Sequence, residues 1–363
     1  MHRINTGERV SPNPLSLDLD HILLHTEGLW QELRGQHLFI TGGTGFVGCW
    51  LLESFLWVNQ KLDLNAQAIV LTRDPAAFRR MAPHLANARG ISLHHGDIQS
   101  FEFPSTPAAY VIHAAAPPSA ALSSTQPQPA LETYILGAQR ILEFSRTCCA
   151  SKLLLISSGA VYGPRPPEVT HILEDCNLLP DPATKPSIYA EVKRQMELMG
   201  VQCTGSDGLD VTIARCFAFV GPYLPLDGQF AIGNFILDCL NRRPIQICGD
   251  GTPVRSYLYA ADLAIWLWTI LLRGKSGRAY NVGSEERMTI ADVAGAVASA
   301  FNPRPSVSVS TTTSHGQQPE SYVPSTERAR LELGVKQTVT LQVALARTIA
   351  WHRAGLTADG HKS

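Results

Sequence analysis

The sequence carries no excess of charge of either sign. Its 363 residues include 30 basic and 31 acidic side chains, so no global field recruits nucleic acid or an anionic membrane, and only a local anion pocket is left open. A long apolar run is also missing. The longest strongly apolar stretch, LAIWLWTILL at 263–272, is about half a membrane span and reads as a buried helix. No CxxC occurs among the eight cysteines, and Cys148 and Cys149 are adjacent. Such scatter argues against a disulfide framework or a zinc site and predicts reduced, mostly buried thiols. His21 and His25 stand four apart, a spacing that can bind metal on a helix, but no third ligand lies nearby. A solvated helix face and no metal site are expected there. The first residues, MHRINTGERVSPNP, hold no apolar h-region or cleavage signature, and neither an internal repeat nor a low-complexity segment occurs. The expectation is a soluble, cytoplasmic chain with no nucleic-acid or membrane partner.

What is present is an alternation. HLFIT (37–41), AIVLT (68–72), ISLHHGD (91–97), YVIHAA (110–115), KLLLIS (152–157) and DVTIARC (210–216) read as strands. Helical patterns lie between most of them, notably FVGCWLLESFLW (46–57) and ETYILGAQRILEFSR (132–146). Hydrophobicity that is continuous rather than alternating marks strands covered on both faces, hence a parallel sheet with helices outside. The fold class expected is α/β, a Rossmann-like doubly wound parallel sheet with a smaller C-terminal substrate-binding lobe. Residues 1–34 are expected as an N-terminal extension with an amphipathic helix over 15–34, and 35–222 as the dinucleotide-binding domain, with 255–275 returning to it. Residues 223–254 and 276–355 are assigned to the substrate-binding lobe, with further helices near 260–273 and 289–301.

ITGGTGFVG at 40–48 follows the first strand and opens the first helix, with Gly42, Gly45 and Gly48 in GxxGxxG spacing. Such glycines allow a tight turn, let backbone approach a pyrophosphate, and bring the helix close to the strand, while its N-terminus offers free N–H donors. After the second strand the chain reads VLTRD, with no acidic residue at the position that usually meets a ribose 2′-hydroxyl. Either Arg73 pairs with a 2′-phosphate, which favours NADP over NAD, or it is a solvated strand-end arginine and Asp74 takes the ribose role. Asp97, in HHGDI, either accepts from an adenine amino group or caps a helix.

Thirty-one residues after Ser158 comes SIYAEVK, which places Tyr189 and Lys193 four apart on one helix face. Tyrosine ionises near pH 10 and is a poor base at neutrality; a neighbouring ammonium and a positive nicotinamide ring are expected to lower that pKa. Ser158, ending the fifth strand, can hydrogen-bond the same substrate oxygen. The trio suits proton transfer from an alcohol while hydride leaves its carbon.

With these motifs in order, the chain resembles an extended short-chain dehydrogenase/reductase of the NAD-dependent epimerase/dehydratase family, whose members act on nucleotide-activated sugars. The resemblance spans about residues 36–335 through TGGTGFVG, HGDI, HAAAP, SSGAVYG, YAEVK, RCFAFVGP, GNFI, GDGTPVRSYLYAADLA and YNVGS. It implies a catalytic triad of Ser158, Tyr189 and Lys193. It implies cofactor contacts from Gly42, Thr44, Gly45, Phe46, Val47, Gly48, Arg73, Asp97, Ile98, Ala114, Ala115, Tyr189 and Lys193. Substrate contacts are implied for Pro117, Ser158, Asn234 and Arg255, the last two as partners of the nucleotide-sugar diphosphate. A guanidinium binds phosphate bidentately, although Arg255 could equally stand in an ordinary surface salt bridge. The resemblance also implies a homodimer through two helices per subunit; the apolar stretch in ETYILGAQRILEFSR fits this or burial within the monomer.

The sequence departs from the family pattern at three places. Ala218 and Tyr134 stand where relatives often carry asparagine, which affects the sugar pose and the support of Lys193. Gly159 and Ala160 follow Ser158, where the family's 4,6-dehydratases place an Asp-Glu pair and its uronate decarboxylases a glutamate two residues on. Elimination needs groups that remove and deliver protons, and these two residues move none. Dehydratase and decarboxylase activities are therefore disfavoured, unless Glu168 or Glu174 reaches the site. The resemblance then implies a 4-epimerase acting on a nucleotide-linked hexose. The alternatives are an NADPH-dependent 4-ketoreductase on the same scaffold and, against the intact triad, a non-catalytic dinucleotide-binding regulator.

Overall fold

The computed structural model describes residues 13–116, 127–163, 166, 168–176, 187–205, 208–228, 230–310 and 320–359. Strands β1 (His37–Thr41), β2 (Gln67–Thr72), β3 (Ile91–His95), β4 (Tyr110–His113), β5 (Lys152–Ser158) and β6 (Asp210–Cys216) are parallel. A seventh strand, Ala279–Val282, pairs with β6, and the sheet runs Ala279–Val282, β6, β5, β4, β1, β2, β3. That seventh strand lies within the range expected for the smaller lobe, yet it completes the main sheet.

The apolar runs are explained by burial on both faces. Leu38, Ile40, Val70, Ile112 and Leu154 face one core; Phe39, Ile69, Val111, Leu153 and Leu155 face another. Strand alternation then demands an apolar residue at every position rather than every second one. The order also reverses at β1, which is flanked by β2 on one side and β4 on the other. Crevices for ligands open at the carboxyl ends of strands at such a reversal.

The run at 263–272 forms the helix Ala260–Arg273, buried from Ala260 through Leu272. Its Trp268 packs on Trp30 with ring centroids 4.8 Å apart and donates to the Ser54 hydroxyl at 2.8 Å. Among the described residues no helix is long and apolar enough to cross a membrane. The helix expected over 15–34 is shorter: it runs Ser16–His25, the Thr26 hydroxyl turns back onto the Ile22 carbonyl at 2.6 Å, and a separate 3-10 turn, Trp30–Leu33, follows. Buried Asp18 anchors this helix, accepting from the Tyr259 hydroxyl at 2.8 Å and from Arg347 of the last helix, Leu341–Asp359. His21 is used structurally, its Nε2 meeting the Thr338 hydroxyl at 2.7 Å.

The remaining strands are short. Val254–Arg255 pairs antiparallel with Met288–Thr289 and parallel with Ser321–Tyr322, and Ile245–Ile247 pairs with Val307–Val309. The helix Ile290–Ser299 starts with a capping box, in which Thr289 and Asp292 satisfy each other's backbone N–H groups at 3.0 Å. These pieces carry Arg255 and Tyr322 towards the carboxyl end of β5.

Candidate active site

The glycine loop leaves β1 at Thr41 and enters the helix Phe46–Lys61. Gly42 has φ +69°, and a Cβ there would lie 2.5 Å from the Ala114 carbonyl carbon and 2.6 Å from the Ala115 nitrogen. A Cβ on Gly48 would strike the Gly42 carbonyl and the Gly43 Cα. Protein packing therefore dictates both residues. Gly45 differs. It is exposed, a Cβ there would meet only the Gly42 oxygen at 3.5 Å, and as N-cap it offers the helix no side-chain hydrogen bond. The first turn's N–H groups thus have room in front of them, an arrangement that fits the diphosphate of a dinucleotide. Thr44, Phe46 and Val47 are half-buried around the loop. Ala114 and Ala115 close it from β4, where Ala115 donates to the Thr41 hydroxyl at 3.1 Å and that hydroxyl meets buried His113 Nδ1 at 2.9 Å. Burial lowers the His113 pKa to about 3, helped by the Lys193 charge, so this imidazole stays neutral.

Arg73 is exposed just past β2. Asp74, the other candidate for the ribose, caps the helix Pro75–Met81 by accepting the Ala77 N–H at 2.8 Å. Asp97 closes a turn by accepting the Gln99 N–H at 2.9 Å, and Ile98 packs 3.0 Å from where a Cβ on Gly137 would stand. Pro117 lies outside the described residues.

Ser158 ends β5 and caps the short turn Gly159–Tyr162, its hydroxyl accepting the Ala160 N–H at 3.2 Å. Tyr189 and Lys193 sit on the helix Ile188–Cys203, started by the Ser187 cap. Burial raises the Tyr189 pKa, and its hydrogen bond to Ser158 opposes that rise. The Lys193 ammonium is 4% exposed and donates to the Ile156 carbonyl at 2.8 Å. It also lies 5.3 Å from the centre of the Tyr134 ring, which meets Tyr189 edge-on at 6.0 Å. Burial lowers the Lys193 pKa to about 8, against the pull of Cys216 and Glu197. Without a nicotinamide ring beside it, burial therefore dominates at Tyr189. Tyr134, which replaces the family's asparagine, supports Lys193 with an aromatic face instead.

Two substrate candidates come from the chain beyond β6. Asn234 is exposed in the first turn of the helix Ala231–Leu240. Half-buried Arg255 pairs with exposed Glu320 at 3.1 Å and donates to the Val254 carbonyl at 3.0 Å, so it stands in a salt bridge in this state. Its guanidinium also stands 6.0 Å over the Tyr322 ring.

Tyr322 is the residue that sequence reading missed. Its hydroxyl lies 3.5 Å from the Ser158 hydroxyl and 3.5 Å from the Cys216 carbonyl, and its ring stacks on Phe217 at 4.5 Å. A Cβ on Gly159 would stand 2.6 Å from Phe217 Cζ and 2.7 Å from the Tyr322 hydroxyl. The only signal in the sequence was Gly159 itself, because a glycine closing a strand marks a close approach by something else. Of the two fallback acids, Glu168 is exposed, and buried Glu174 accepts the Asn281 N–H at 2.9 Å.

Behind the triad strand lies a sealed polar network. Ser157 donates to Glu197 at 2.5 Å, and Glu197 takes Arg215 Nη2 at 2.7 Å and its Nε at 3.1 Å. Arg215 Nη1 reaches the Tyr162 hydroxyl at 2.9 Å, which donates to Asn281 at 2.7 Å. This ties the triad helix to β5 and β6.

Residues 38–283 match the family described as NAD dependent epimerase/dehydratase. UDP-glucuronic acid decarboxylase 1 of Arabidopsis thaliana is 24% identical over 316 residues, covering 86% of this chain and 69% of the relative. dTDP-glucose 4,6-dehydratase of Streptomyces griseus is 26% identical over 325 residues, covering 87% and 94%. Among solved structures, UDP-glucose 4-epimerase of Thermus thermophilus in complex with NAD is similar with a TM-score of 0.70, 25% identity and coverage of 87% and 99%.

Proposed function

The chain belongs to the NAD dependent epimerase/dehydratase family of nucleotide-sugar enzymes, and from that premise we propose that it oxidises and re-reduces C4 of a nucleotide-linked hexose as a 4-epimerase. The observation that carries this is the crowding at Gly159. An acid side chain beside Ser158 would need the space that Phe217 and the Tyr322 hydroxyl fill. Elimination, the chemistry named in the dehydratase relatives, then lacks a proton carrier at that position, and Ala160, where the decarboxylases place a glutamate, carries none either.

In this reading Tyr189 takes the proton of the 4-hydroxyl, Ser158 holds the same oxygen, and Lys193 keeps a positive charge beneath them. A nicotinamide dinucleotide, its diphosphate on the loop of Gly42, Gly45 and Gly48, supplies hydride acceptance and return. The 4-keto sugar turns over between the two transfers, and Tyr189 gives the proton back. Asn234 and Arg255 hold the diphosphate, Arg255 by exchanging exposed Glu320 for phosphate. Thr44, Phe46, Val47, Asp97, Ile98, Ala114 and Ala115 line the cofactor side.

The second reading, an NADPH-dependent 4-ketoreductase, is favoured by Arg73, which is exposed while Asp74 is engaged as a cap. We also read a homodimer through the helices Gln128–Thr147 and Ile188–Cys203, which leave Leu136, Ile188, Leu198 and Val201 exposed. The scatter of eight cysteines with no CxxC fits a cytoplasmic setting.

Mass spectrometry of the gently purified protein, followed by NMR of a nucleotide-sugar panel, tests the proposal. Bound NAD(H) with C4 inversion supports the epimerase. An empty site that takes up NADPH, with Arg73→Ala weakening NADPH far more than NADH, supports the reductase. Formation of a 4-keto-6-deoxy sugar from dTDP-glucose, or carbon dioxide from UDP-glucuronate, overturns both.

A further inference from the structure

A second cleft lies away from this site. About 850 Å³ in volume, it opens between the end of the helix Ala231–Leu240, the segment 301–306 and the last helix. Arg242 is eight residues beyond Asn234, or about 12 Å further along at helical rise, and none of the lining residues belongs to the candidate active site. Four of them are arginines, Arg242, Arg243, Arg304 and Arg353, and none is acidic. In a chain whose charges nearly cancel, that local imbalance needs a cause.

Several guanidinium groups elsewhere are neutralised: Arg215 sits on Glu197, Arg278 on Glu332 and Arg347 on Asp18. Here, among the described residues, neither Arg242 nor Arg304 has an ion pair, while Arg243 pairs with Asp238 at 3.5 Å. The backbone supplies an independent observation. Arg242 follows Asn241, which closes the helix, and adopts φ +58°. Glycine is the residue favoured in that left-handed position past a helix end. A guanidinium stands there in spite of the backbone cost, which points to a use for the side chain.

We propose that this cleft is an anion site for a small ligand carrying at least two phosphate groups. Its volume is in the range of small-molecule sites, which sets it apart from a surface for nucleic acid. Several arginines lining one cleft suit a ligand whose phosphates can each be bound by a fork of donors. The proposal does not depend on the nucleotide-sugar reading.

Calorimetric titration of the full chain with inorganic pyrophosphate, and separately with sulfate, is the test. Pyrophosphate can also enter the glycine loop, so the comparison is between the wild type and Arg242→Ala/Arg304→Ala. The expected result is a pyrophosphate site, weakened by salt, whose affinity falls about tenfold or more in the double variant. NADH binding, read by fluorescence, should be unchanged; if the wild type takes no NADH, the cofactor reading fails while this proposal stands. Arg242→Gly separates binding from folding. It should raise Tm by about 1–3 °C, because the strained residue is replaced, and still weaken pyrophosphate. Equal pyrophosphate binding in the wild type and all variants overturns the assignment, as does sulfate binding as tightly as pyrophosphate. Should the double variant fail to fold, Arg242→Gly and Arg304→Gln read the same contrast separately.

Discussion

Ser157 and Ser158 are neighbours on one strand with opposite surroundings. Ser157 is 2% exposed and enters a chain of partners, Glu197, Arg215, Tyr162 and Asn281, in which Arg215 uses all three guanidinium nitrogens. Ser158 faces the Tyr189 and Tyr322 hydroxyls with hydrogen-bonding capacity to spare. Alternation along a strand separates two roles within one dipeptide. Complete satisfaction makes a scaffold, and incomplete satisfaction leaves a site that a substrate oxygen can join.

The sharpest test of that contrast is on the open side. Tyr189→Phe should cut turnover about 10²- to 10⁴-fold while cofactor binding and the unfolding midpoint hold; near-normal turnover removes Tyr189 from proton transfer. On the sealed side, Glu197→Ala leaves Arg215 buried without its counter-charge and should cost about 3–5 kcal/mol in urea unfolding. A loss under about 1 kcal/mol would mean the network does not anchor the triad helix.

Lys193 belongs to both sides, and its charge can be read through pH. Its pKa is 10.5 when free and about 8 in the fold, so between those values the unfolded chain binds more protons. The contribution of Lys193 to stability therefore rises with pH through that window, and its buried charge imposes a constant cost below it. The buried thiols of Cys49, Cys216 and Cys239, held above their ordinary range by burial, act the opposite way in both proteins. From pH 7.5 to 10 the unfolding midpoint of the wild type should therefore rise relative to that of Lys193→Met, and parallel profiles would mean Lys193 is not buried charged. The smallest effect is expected at Gly159→Ala, about 1–3 kcal/mol from the crowding of Phe217 and Tyr322. Tyr322→Phe in the same chain should recover part of it, and strict additivity of the two changes would mean the two positions do not touch.

The sheet was legible because strands covered on both faces cannot hide: Leu38, Phe39 and Ile40 leave no polar position for either core to spare. The glycine loop was legible for a related reason, since backbone contacts dictate Gly42 and Gly48 locally. Tyr322 was not, because it reaches Ser158 through two-residue strands joining 254–255 to 321–322, a pairing with no periodicity to read. Nor was the Glu197–Arg215 pair, whose partners lie on different elements. The first helix was overestimated because its apolar pattern continues through Trp30 and Leu33 although the helix itself stops at His25.

Asp18 has a consequence for how the chain is made. It lies near the start, and its partners Tyr259 and Arg347 lie far along the chain. Burial raises its pKa, and those two groups, with a smaller contribution from His21, compensate for taking the carboxylate out of water. Asp18 therefore gains its full set of partners only when residues 259 and 347 are both present, and a product that ends between them leaves the first helix without its Arg347 contact.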